Sequence, residues 1–147
     1  MSDAVRDERS MVQWFAERSA TPPVGETWIG DDTAVLKTEA GTLLFATDSV
    51  VEGVHFFSGA SNLADAGWKA LVRNVSDVAA MGGVPTHAVA AVSGADEEEL
   101  LAIHEGLSEA SVAYGCPVVG GDLSKGAAIV VSVAILGRGG LVAPVLR

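Results

Sequence analysis

Three times in this chain an apolar or glycine-containing stretch runs into aspartate: IGDD at residues 29–32, ATD at 46–48 and VVGGD at 118–122. A fourth carboxylate, Asp77, ends the polar stripe of a long helical pattern. An aspartate at the end of a strand commonly caps a turn by accepting local N–H groups. Four such sites in one small chain ask for more than turn chemistry. Gly30, Gly120 and Gly121 sit beside two of them, and a residue without a side chain lets an oxygen-rich ligand approach the main chain closely. Carboxylates without His or Cys partners are hard-oxygen ligands, which suit magnesium better than zinc. Magnesium held near glycine turns points to phosphate esters, whose oxygens it bridges and neutralises. The chain carries neither a G-x-x-x-x-G-K-[ST] phosphate loop nor a G-x-G-x-x-G fingerprint, so metals and a few basic groups would have to hold a nucleotide.

The elements that must position these residues are legible in outline. Apolar spacing predicts a short helix over residues 7–19, with Met11, Val12, Trp14 and Phe15 on one side. TAVLKT and TLLFATD, joined by Glu39, Ala40 and Gly41, predict a β-hairpin. A long helix follows, with Ser61 or Asn62 as N-cap and Gly82 and Gly83 as its stop. Its predicted core face is Trp68, Leu71, Val72, Val75, Val78 and Ala79, opposite a polar stripe of Lys69, Arg73, Ser76 and Asp77. THAVAAVS reads as a strand, DEEELLAIHEGLSEASVAY as a helix, and PVVGGD and AIVVSVAILG as two last strands. The order predicts an α+β fold, a mixed β-sheet with helices packed on one face. In ATDSVVEGVHF the strand pattern is interrupted by Asp48, Glu52 and His55, of which Glu52 has no evident role beyond a turn-stabilising hydrogen bond.

Bulk properties narrow the function classes. The 147 residues amount to about one domain, and a net charge of −10 argues against nucleic acid or anionic lipid as partner. The lone Cys116 excludes an internal disulfide and reads as a small buried hydrophobe. Residues 127–136 form the most apolar run, far short of the roughly 20 residues of a membrane span. A soluble, cytoplasmic protein is the expectation.

GDDTAVL, ATDSVVEGVHF, GWKALVRNVSDVAAMGGVP and VVGGDLSKG, in this order, resemble the amino-terminal half of the thiamine-monophosphate kinases, in the superfamily of aminoimidazole ribonucleotide synthetase and selenophosphate synthetase. The resemblance implies residues 1–147 as an amino-terminal ATP- and magnesium-binding domain, recognisable over about 28–137, whose usual carboxy-terminal partner domain is absent from this chain. It implies ATP-dependent phosphorylation of thiamine monophosphate to thiamine diphosphate by direct transfer, with several magnesium ions. Carried over by motif, Asp32, Thr47, Asp48, Asp77 and Asp122 would be metal ligands. Tyr114, Gly121, Asp122 and Arg147 would contact ATP, and His55 the thiamine phosphate. No residue is assigned as acid, base or nucleophile, because the acceptor is already a phosphate oxygen. Ala46 and Leu123 depart from the family pattern, each replacing a hydroxyl, with Ser124 as a substitute for the second. The resemblance also implies a homodimer formed by sheets pairing face to face. The readings it competes with are another ATP-using member of the superfamily and a non-catalytic dimerisation or nucleotide-binding module.

Overall fold

The computed structural model describes residues 8–139, so Arg147 lies outside the described residues. The element order is α1 (Glu8–Arg18), β1 (Ala34–Thr38), β2 (Gly41–Val51), α2 (Leu63–Ala80), β3 (Val84–Ser93), α3 (Glu97–Tyr114), β4 (Val118–Ser124) and β5 (Val130–Arg138). Five strands form one sheet in the order β1-β2-β5-β3-β4. All neighbours are antiparallel except β3 and β4, which α3 connects as a parallel crossover. This is the mixed, α+β arrangement expected.

Helices α2 and α3 cover one face of the sheet. Side chains alternate along a strand, so Leu44 and Val50 of β2, Ala88 and Val92 of β3, and Val131, Val133 and Ile135 of β5 all turn towards the helices and are buried. They meet Leu71, Val75 and Val78 of α2 and Ile103 and Leu107 of α3 in one core. Local signals set the helix ends. Asn62 caps α2 by accepting from the Ala64 N–H at 3.0 Å, and Asp96 and Glu99 form a reciprocal capping box on α3.

Two sequence expectations shift. The buried face of α2 includes Ala66, Gly67, Ala70 and Asn74, while Ala79 is exposed. The cause is α3, which packs along this side of α2 so closely that only small residues fit. In α1, Phe15 is 52% exposed although Met11, Val12 and Trp14 are half-buried. Strand β5 alternates between fully buried and half-buried positions, so in the single chain only its helix-facing side is closed.

Candidate functional site

Strand β2 and the loop after it carry the densest chemistry. Asp48 is not at a strand end: the ladder with β5 continues past it to Val51, with Asp48 opposite Val133. Val133 is fully buried under the helices, so Asp48 points to the helix side as well. There the Arg73 Nε of α2 donates to its Oδ2 at 2.7 Å, and the Ser49 N–H donates to its Oδ1 at 2.7 Å. A charged residue is tolerated in mid-strand because both oxygens are satisfied.

Thr47 points to the opposite, open face, where its Oγ1 donates to the Val133 carbonyl at 2.9 Å. Asp122 also lies inside a strand, opposite Ala91, because β4 runs on to Ser124. Thr47 and Asp122, with Gly121, Ser132, Ala91 and Ala134, line a shallow groove of about 440 Å³ on this face. The predicted metal ligands borne on strands are therefore split between the two faces of the sheet, Thr47 and Asp122 on the open one and Asp48 on the helix side.

Asp32, in the loop before β1, and Asp77 of α2 add carboxylates from two further elements. The GDD loop is closed at its base by Thr27 and Val35, whose N–H and C=O groups exchange hydrogen bonds at 3.0 and 2.6 Å. Gly30 adopts a positive φ of 116° in this loop, and the Asp31 carboxylate accepts the Asp32 N–H at 2.9 Å. Since Ala34 lies opposite Phe45, the loop approaches β2 at the level of residues 46–48. Asp77 sits one turn beyond Arg73 on the same stripe of α2. Among the described residues, no three His, Cys, Asp or Glu side chains are grouped so as to hold a metal ion. The donor types still suit magnesium, which commonly takes one or two carboxylates and completes its shell with water and phosphate oxygens.

His55 is held by its own turn. Its Nδ1 accepts the Val51 N–H at 3.0 Å, its N–H donates to the Val51 carbonyl at 2.8 Å, and the Lys69 ammonium donates to its carbonyl at 2.9 Å. The turn itself depends on Glu52. One carboxylate oxygen accepts the Ile129 N–H at 3.0 Å and the other accepts the Ser58 hydroxyl, tying the loop to the start of β5. These bonds, the one from Ile129 first, hold the Glu52 carboxyl below its ordinary value. A lowered folded value contributes stability that is complete above the ordinary value of 4.5 and disappears as pH falls through the lowered one. Glu52→Gln is expected to speed amide exchange at Ile129 and remove that acid-side dependence, with global stability little changed. Exchange at Ile129 as protected in the variant as in the parent would show that the clamp is idle.

Tyr114 ends α3 in the helical layer, its ring 6.1 Å from that of Trp68, away from the open face where Asp122 projects. Cys116 is fully buried and burial pushes its thiol up, which fits the packing role read from sequence. His104 is exposed. A larger cavity of about 700 Å³ lies between α3 and the β3–β4 pair. Its walls are Ala90, Val92, Leu100, Leu107, Val118 and Leu123, and the acids at its rim, Asp96 and Glu97, belong to the first turn of α3. Sequence reasoning passed over Arg73, Lys69 and Ser132; the first two were visible only as a polar helical stripe.

Residues 30–139 match the family model described as AIR synthase related protein, N-terminal domain. The chain belongs to this family. Thiamine-monophosphate kinase of Bacillus subtilis is 35% identical over 137 residues, covering 90% of this chain and 42% of the relative. That of Synechococcus elongatus is 40% identical over 112 residues, covering 74% and 34%. A solved structure described as AaThiL complexed with AMPPCP and TMP has 31% identity and a TM-score of 0.79, covering 92% of this chain and 44% of that one. The chain thus spans less than half the length of these kinases. The α+β sheet of this family member is shared with the liganded structure. Among the described residues, no helix is long and apolar enough to cross a membrane.

Proposed function

We propose that this chain supplies the nucleotide- and metal-binding half of a thiamine-monophosphate kinase, phosphorylating thiamine monophosphate to thiamine diphosphate at the expense of ATP. The observation that carries the reading is the similarity to a structure described as holding AMPPCP and TMP, over 92% of this chain. In the proposed arrangement Asp122 and Thr47, on strands separated by β5 and β3, offer a carboxylate and a hydroxyl to separate magnesium ions on the open face. Asp32, Asp48 and Asp77 offer carboxylates at the helix-side edge. Magnesium, when bound, would spread the charge of the transferring phosphoryl group. Gly121 gives the nucleotide close access to the main chain, Tyr114 in the helical layer and Arg147 would extend the ATP contacts beyond the open face, and His55 faces the substrate. The acceptor oxygen is already ionised, so no general base is needed.

Calorimetry with thiamine monophosphate, AMPPCP and magnesium tests this. Binding of AMPPCP that requires magnesium, together with binding of thiamine monophosphate, is expected. Nucleotide binding without any response to thiamine monophosphate would favour another ATP-using member of the superfamily. The reading also places the protein in the cytoplasm, alongside its co-substrate, which fractionation of the source cells would test.

Homodimerisation through the open sheet face belongs to the same proposal. Phe45 is 45% and Val89 42% exposed there, an apolar half next to the polar half that carries Ser49, Ser132 and Asp122. Light scattering at micromolar concentration is expected to give the mass of two chains, and Phe45→Glu the mass of one. A single-chain mass for the parent would remove the dimer.

A further inference from the structure

Arg73 and Lys69 stand four residues apart on one stripe of α2, about one helical turn. Their neighbours on that stripe are acidic, Asp65 before Lys69 and Asp77 after Arg73. Such an acid–base–base–acid spacing would by itself close into two ion pairs along the helix. The side chains do something else. Lys69 reaches across to the His55 carbonyl at 2.9 Å, and among the described residues its ammonium has no carboxylate partner within 4.0 Å. One of its three donors is used. Arg73 meets Asp48 through Nε alone, at 2.7 Å, and not through the two-pronged fork that a guanidinium normally offers a carboxylate. Its side chain keeps 37% exposure.

Two cations with spare donors therefore lie side by side, next to the turn that fixes His55, in a chain whose net charge of −10 otherwise repels anions. Donors spread over two side chains one turn apart suit an oxyanion with several acceptor oxygens better than a carboxylate, which a single Arg satisfies. Asp48 keeps the guanidinium in place, and the His55 carbonyl does the same for the ammonium.

We infer that Lys69 and Arg73 form a binding site for the phosphate group of a phosphate monoester, and rest on the proposed kinase reading the further assignment that this monoester is the acceptor substrate. Neither residue carries out chemistry in this role; both recognise and position the phosphate.

NMR of the 147-residue chain tests it, following the Arg73 Nε–Hε and His55 amide signals during titration with inorganic phosphate. Saturable shifts at both are expected, with acetate producing none. Lys69→Gln and Arg73→Gln are each expected to weaken phosphate binding about tenfold, the value of one charge-assisted hydrogen bond. Lys69→Arg should retain it, which a merely structural tie to the His55 carbonyl would not predict. Absent shifts, an equal response to acetate, or unchanged affinity in both Gln variants would overturn the inference. If phosphate binds as described but thiamine monophosphate binds no tighter than thiamine, the site stands and the acceptor assignment falls.

Discussion

Asp122→Asn is expected to weaken magnesium-dependent binding of AMPPCP by at least about 100-fold. That figure is the upper end of what loss of a group that only orients a metal ligand costs, and a direct ligand should not cost less. The substitution keeps the shape of the side chain and removes its charge. It leaves the backbone pairing with Ala91 untouched, and the exposed position on the open face holds no buried partner to strand. A structural explanation for lost binding is thereby closed off, and the melting temperature should stay that of the parent. Binding measured with and without magnesium separates the two terms: the magnesium-independent part should be the same in both proteins. Equal magnesium-dependent affinity would remove Asp122, and with it the open-face groove, from the proposed metal site.

The division of the predicted ligands between two faces shows where sequence reading succeeded and where it stopped. Element order, the Glu39–Ala40 turn and the Asn62 cap were legible because each depends on residues within a few positions of one another. Asp48 was read as a strand end because a carboxylate in mid-strand needs a partner, and that partner, Arg73, lies 25 residues away on another element. Glu52 shows the same effect over a longer span. Its bond to the Ile129 N–H joins positions 77 apart, so its role as a loop clamp depends on β5 lying beside β2. Once the strand is known to continue to Val51, alternation alone puts Thr47 and Asp48 on opposite faces. The buried side of α2 keeps Leu71, Val75 and Val78 as read but is wider than the pattern, for another reason. A hydrophobicity pattern weights Trp68 and Ala79, whereas α3 selects for small volume and buries Gly67, Ala70 and Asn74. Asn74 enters the core with its amide donating to the Ala70 carbonyl at 2.9 Å within the same helix, while its Oδ1 has no hydrogen-bond partner among the described residues.

That close helix contact carries the largest expected effect on stability. A Cβ on Gly106 of α3 would lie 1.7 Å from the Ala64 carbonyl oxygen of α2, and one on Gly67 of α2 would lie 2.1 Å from the Ile103 carbonyl oxygen of α3. Both obstacles are main chain, so no side chain can swing aside; the helices themselves must separate. Gly106→Ala gains about 1 kcal/mol of helix propensity. Forcing an extra carbon into a packed contact costs about 3 kcal/mol. The net loss of roughly 2 kcal/mol corresponds to a melting temperature lower by about 6 °C for a chain of this size. Gly59→Ala is the matched control, since a Cβ there meets nothing within 4 Å, and it should leave the melting temperature unchanged. The consequence reaches beyond stability, because α2 also carries Lys69, Arg73 and Asp77 on its polar stripe. Lifting α2 away from α3 would alter the approach of Arg73 to Asp48, so the Gly106 variant should also show a shifted Arg73 Nε–Hε signal, while Gly59→Ala should not. A Gly106→Ala protein as stable as its parent, with that signal unmoved, would mean that the two helices have room to spare and that their spacing does not position the site.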